Sequence, residues 1–299
     1  MNLLKTALLL AGLTALFGGV GWMLGGEAGM ATALLMAAVT NIGAYWFSDT
    51  MVLRMYGARP VPNGALYDMV AVLAGRAGIP TPRVYVIESA QPNAFATGRS
   101  PNHGAVAVSR GLMQILDERE LAGVIAHELA HIKHRDTLTM TITATLAGAI
   151  ATLVNFGYFF GGRRYDDDGR SRGNPLLSML VLMLAPMAAM LVQLAISRAR
   201  EYDADAGGAA ICGDPRALAS ALSKLEQAAR GIINPAAENH PATAHLFIVN
   251  PLNGLRFDSL FATHPSTADR IQALMALADR LTNHGSETQS MTPSRGQAH

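Results

Sequence analysis

The chain has 299 residues, enough for one sizeable domain or two small ones, yet 50% are hydrophobic and only 15% are charged, against roughly 25% in a typical soluble domain. That balance points to a membrane protein, and the net charge of +1, with no basic stripe interleaved with aromatics, argues against a nucleic-acid partner. Cys212 is the sole cysteine, so an internal disulfide and a cysteine-based metal site are excluded as well.

Residues 6–24 (TALLLAGLTALFGGVGWML) and 28–47 (AGMATALLMAAVTNIGAYWF) each approach the ~20 residues a helix needs to cross a bilayer. Only GGE separates them, which makes them antiparallel neighbours, and Trp22, Tyr45 and Trp46 sit where interfacial aromatics belong. The first stretch is too long for a signal-peptide core and a second follows at once, so residues 1–49 read as a retained transmembrane hairpin.

Next come a helical stretch at 63–77, an alternating strand at 83–89 (RVYVIES) and a short strand at 104–109 (GAVAVS), with the loop AQPNAFATGRSPNH between the strands. Asp117 followed by Glu120 resembles a capping box opening the helix that carries VIAHELAHIKHRD, residues 124–136. A second hydrophobic pair occupies 137–160 and 175–197. Its threonines, Pro186 and Gln193 leave two readings open, a second spanning hairpin or segments buried against protein.

An even number of crossings leaves residues 50–136 and 198–284 on one membrane face. Lys5, Arg54, Arg59, Arg76, Arg83, Lys133, Arg135, Arg198 and Arg200 share that side, which the positive-inside rule makes cytoplasmic. Ser266 reads as the N-cap of an amphipathic helix through Ile271, Leu274, Met275, Ala278 and Leu281, and residues 285–299 read as a disordered tail.

The chemistry sits in HELAH. His127 and His131, four apart on a helix, present two imidazoles to one small cation, and Glu128 between them can reach a water beside that cation without ligating it. Two neutral imidazoles suit Zn²⁺, which acidifies water, and a carboxylate can take the proton as the water attacks a carbonyl. Leu121, Val124, Ile125, Leu129 and Ile132 make this helix mostly buried, where unligated imidazoles would carry a desolvation cost.

A third ligand is needed. His134, two turns from His127, lies too far along the axis to share an ion with both histidines while the helix continues. SRAREYDADAGGA (197–209) offers Glu201 and Asp205, four apart on one face. Glu201 could complete a His, His, Glu set, with Asp205 fixing an imidazole tautomer, but beside Arg198 and Arg200 it could equally be a solvated, charge-paired residue. Spacing alone does not choose.

With these motifs the chain resembles the M48 family of membrane-embedded zinc metalloproteases, from about Leu3 to Leu281. The resemblance rests on HELAHIKHRDT running into a third hydrophobic segment and on SRAREYDADAGGA just after a fourth. It implies a mainly α fold with a small sheet, a zincin-like domain split between 50–136 and 198–284, combined with four transmembrane helices. It also implies one Zn²⁺ per subunit on His127, His131 and Glu201, Glu128 as catalytic acid and base, and Asp205 beside the ligand helix. By the same likeness NAFATG (93–98), with Asn93, Ala94 and Phe95, is the substrate-side element; Asn93 and Phe95 could orient substrate or merely shape a turn.

His264, in a late His-Pro pair, could donate to the oxyanion, occupy the water position as an inhibitory ligand, or simply flank a helix. The resemblance further implies endopeptidase work on misfolded membrane proteins and unfolded polypeptides in bacterial inner-membrane quality control and stress response. The competing class is a zinc-stabilised scaffold that binds exposed segments without cutting them.

Overall fold

A computed structural model of the protein describes residues 2–138, 140–142, 198–229 and 265–290. Helix α1 (Asn2–Met55) is broken at Gly25 and Gly26; Gly26 has φ 59° and ψ −143°, a conformation only glycine adopts readily. Its arms fold back on one another. A Cβ on Gly21 would stand 2.5 Å from both the Gly29 carbonyl oxygen and the Ala33 Cβ, so bare backbone is what permits the close approach. The two arms therefore lie side by side, and the second runs on to Met55 instead of ending near residue 47.

Among the described residues no helix is long and apolar enough to cross a membrane. Many side chains of the first arm lie outside the described set, and so do nearly all of residues 137–197, where the third and fourth hydrophobic segments were expected.

Four short strands form a mixed sheet in the order β1-β2-β4-β3: β1 (Arg59–Pro60), β2 (Arg83–Ile87), β3 (Ala94–Thr97) and β4 (Ala105–Ser109). β2 and β4 run parallel, while β1 and β3 pair antiparallel at the two edges. Alternation assigns the faces. Val84, Ala94, Ala96, Val106 and Val108 face α2 (Ala65–Ala77) and α4 (Glu118–His134), whereas Ile87, Phe95, Ala105 and Ala107 face the end of α1 through Val52 and Leu53.

Strand β3 corrects the sequence reading, which left residues 90–103 as a loop. Its alanines carry little strand preference. Tertiary pairing makes the strand: Ser109 donates from its N–H to the Asn93 carbonyl, and its Oγ accepts from the Asn93 N–H at 2.8 Å. The short helix α3 (Arg110–Ile115) follows β4 directly, capped by the same Ser109 hydroxyl.

The Asp117–Glu120 capping box opens α4. Glu120 also reaches Ser220 and Lys224 on a later helix, at 2.7 and 2.6 Å. At the other end the helix does not continue past His134, contrary to expectation. Arg135 takes the left-handed conformation (φ 61°, ψ 33°), a position usually filled by glycine, and the chain folds back.

Helix α5 (Arg198–Cys212) crosses α4 at glycines, α6 (Pro215–Ala229) packs beside both, and α7 (Thr267–Ser290) closes the bundle. Ser266 caps α7 as expected, its Oγ accepting from the Asp269 N–H. Leu274 and Ala278 are buried while Met275 and Leu281 are exposed, so the buried stripe is narrower than predicted. The helix extends to Ser290, into the segment expected to lack structure.

The α4–α5 crossing depends on Gly208, where a Cβ would lie 2.8 Å from the His127 N and Cα. Backbone cannot yield as a flexible side chain can. Gly208→Val is expected to force α5 away from α4 and to destabilise the protein by about 1–3 kcal/mol or more, read as a lower Tm by calorimetry.

Candidate metal centre

The residues singled out by spacing meet in space. α4 brings the Nε2 atoms of His127 and His131 to 3.3 Å, with the rings edge to face. From α5, the Glu201 oxygens lie 3.8 Å from each of those nitrogens. Ligand-capable atoms of His127, His131 and Glu201 all fall within 4.8 Å of one another, and all three residues are buried. His134 is not in this group; its ring lies toward Gly207 on α5.

Behind each imidazole stands a carboxylate, and behind each carboxylate an arginine. His127 Nδ1 is 2.9 Å from Asp205 Oδ1, and Arg270 of α7 grips Asp205 with Nε and a terminal nitrogen at 2.8 and 2.7 Å. His131 Nδ1 is 3.3 Å from Asp136 Oδ2, and Arg200 approaches Asp136 at 3.9 Å. Asp205 was anticipated; Asp136, Arg270 and Arg200 were not. Asp136 was masked by the assumption of a continuing helix, since only the Arg135 turn swings it back beneath His131.

These contacts test the fit of a metal. Carboxylates facing both Nδ1 atoms favour the Nδ1–H tautomers, which leaves both Nε2 lone pairs directed at each other and at Glu201. Two donors held ~2.0–2.1 Å from a tetrahedral zinc stand roughly 3.4 Å apart, close to the 3.3 Å found here. Charge agrees. Glu128, Glu201, Asp205 and Asp136 are four buried carboxylates against the two guanidinium groups of Arg270 and Arg200, leaving two negative charges that one divalent cation would balance. A nitrogen and oxygen donor set of this kind suits Zn²⁺.

The same imbalance moves the protons. Burial raises the Glu128 carboxyl above its usual range and Glu201 adds to the rise, against the pull of the two histidines and a backbone hydrogen bond from Ala96. For His131, burial pulls downward, but the Asp136 hydrogen bond and the charges of Glu201 and Glu128 outweigh it and push the imidazole up to about 8. Asp205 is held low despite burial by Arg270 and His127.

The substrate-side residues divide. The hydrogen-bonded pairing of Asn93 with Ser109 sets the β3 register, so Ala94 and Ala96 turn their backbone groups toward the open edge. Asn93 is buried and its backbone anchors the strand. Phe95 fills the core against Tyr56, ring centroids 5.3 Å apart, on the face of the sheet away from α4. His264 lies outside the described residues.

Residues 60–278 match the family described as Peptidase family M48. The chain belongs to that family. Two curated relatives, each named Protease HtpX homolog, from Ralstonia pickettii and Ralstonia nicotianae, are 57% identical over 280 residues, covering 93% of this chain and 97% of each relative. Among solved structures, the crystal structure of S. mikatae Ste24p aligns with TM-score 0.47 and 21% identity, over 81% of this chain and 57% of that one. As an M48 member of the HtpX type, the protein is a metalloendopeptidase acting on polypeptides, and membership implies a metal, typically zinc.

The raised His131 pKa gives a signed pH dependence. A histidine whose folded pKa exceeds its unfolded value contributes stability that is complete below the unfolded value of 6.5 and is lost as pH rises through about 8. The metal-stripped protein is therefore expected to lose thermal stability between pH 6.5 and 8, while Zn²⁺ affinity rises over the same interval as the competing proton leaves. Calorimetric unfolding and zinc titration at pH 6 and 9 check both directions.

Proposed function

We propose that this protein is a membrane-anchored zinc endopeptidase that cuts misfolded membrane proteins and unfolded polypeptides, with its catalytic face toward the bacterial cytoplasm. His127, His131 and Glu201 are the zinc ligands, Glu128 is the proton carrier, and the β3 edge receives the substrate. The observation that carries the reading is the convergence of two imidazole nitrogens and a carboxylate from separate helices, beside a buried glutamate.

Bound there, zinc supplies Lewis-acid polarisation of the scissile carbonyl and acidifies a water. The residues of the chain do the rest. Asp205 and Asp136 hold the imidazoles in the ligating tautomer. Glu128 takes the proton from the attacking water and returns it to the leaving amine. Its hydrogen bond from Ala96 ties the base to the β3 edge, so a peptide lying along that edge would meet the proton carrier in a fixed register. Backbone pairing through Ala94 and the Ala96 carbonyl accepts many sequences, because main-chain hydrogen bonds do not read side chains.

Membrane attachment is supported by the second arm of α1, where Leu35, Val39, Ile42 and Trp46 form an exposed stripe at helical spacing and Phe47 is 67% exposed. Apolar side chains in such number are unstable in water and stable in lipid. Tyr45 and Trp46 at the end of the stripe, with Arg99 4.7 Å from the Trp46 ring centroid, resemble an interfacial anchor.

Glu128→Gln is expected to keep one zinc per chain and to lower cleavage of an unfolded casein-like substrate in detergent by about 10²–10⁴-fold. Cleavage at the wild-type rate with zinc bound would contradict the role given to Glu128.

A further inference from the structure

We infer that Arg270 is a positioning residue for the metal centre, through which α7 sets the geometry of both Glu201 and His127. The inference rests on the zinc reading above. Arg270 is 1% exposed and is the largest fully buried side chain among the described residues. It forms a bidentate pair with Asp205, at 2.8 and 2.7 Å, and its other terminal nitrogen stands 3.6 Å from Glu201 Oε2. One planar guanidinium thus spans a ligand carboxylate and the carboxylate that faces the other ligand's ring, 2.9 Å from His127 Nδ1.

The second relay differs. Arg200 reaches Asp136 only at 3.9 Å, and its terminal nitrogens make no hydrogen bond. The His127–Glu201 side is therefore clamped from α7, while on the other side Arg200 makes only a looser ion pair with Asp136. The clamp also ties the carboxyl-terminal helix, which contributes no ligand of its own among the described residues, to the metal.

Charge and position make opposite predictions. Removing a cation from a site already rich in carboxylates should tighten Zn²⁺ binding if Arg270 acts only through its charge. If it positions Glu201 and His127, its loss should weaken binding. Arg270→Gln is expected to bind zinc about 10–100-fold more weakly and to shift the visible spectrum of the Co²⁺-substituted protein. Arg270→Lys, which keeps the charge but not the fork, should fall between, and Arg200→Gln should bind unchanged or more tightly.

Unaltered or tighter zinc binding in Arg270→Gln, with the wild-type cobalt spectrum, overturns the inference while leaving the zinc site intact. Failure of the wild type itself to bind one zinc per chain overturns the underlying reading instead. Should Arg270→Gln not fold, the wild type decides: zinc is expected to slow amide exchange in residues 267–283 more than in α6, and equal protection of the two helices overturns the inference.

Discussion

Four carboxylates gathered within a few side-chain lengths of two imidazoles, out of reach of solvent, would drive helices apart unless cations joined them. A buried charge without a partner costs several kcal/mol, and removing one member of a buried pair typically costs 3–5 kcal/mol. Here Arg270 and Arg200 supply two of the four positive charges required, and the surplus of negative charge shows in His131, pushed up to about 8, and in Glu128, raised by burial and by Glu201. The bundle of α4, α5 and α7 therefore encloses a site whose net charge favours a cation.

Local features elsewhere in the chain serve that arrangement. Glycines at 207 and 208 let α5 touch the backbone of α4, so Glu201 and Asp205, a turn or two away on the same face, arrive opposite the two rings. The left-handed Arg135 ends α4 one turn after His131 and turns Asp136 inward, a strained residue retained where a straight helix would leave His131 without its carboxylate. On the other side of α4 the sheet presents β3, whose Ala96 N–H meets Glu128, so the proton carrier is tied to the strand edge as well as to the helix. Thr97 and Thr141, joined at 2.9 Å, and Thr137, donating to the Gly98 carbonyl, bind the same strand to the start of the hydrophobic segment that follows α4.

Much of this was legible in the sequence because it obeys local periodicity. The i, i+4 pairs His127–His131 and Glu201–Asp205, the Asp117–Glu120 capping box, the Ser266 cap and the hairpin break at GGE are set by residues a few positions apart. What was not legible depends on tertiary contact. β3 is a run of small residues made into a strand by its neighbour, Phe95 is a core ring because alternation turns it to the α1 face, and Asp136 is hidden by a turn that no glycine announces. Arg270 lies 65 residues from its partner Asp205, and nothing in a helical stripe of Ile271, Leu274 and Ala278 marks the arginine just before it as buried.

X-ray absorption at the zinc edge of the purified protein measures the central claim most directly. The account predicts a first shell of two imidazole nitrogens plus carboxylate and water oxygens, with one imidazole lost in His131→Ala and the carboxylate contribution altered in Glu201→Ala. A zinc shell without imidazole scattering, or one unchanged by both substitutions, would contradict it.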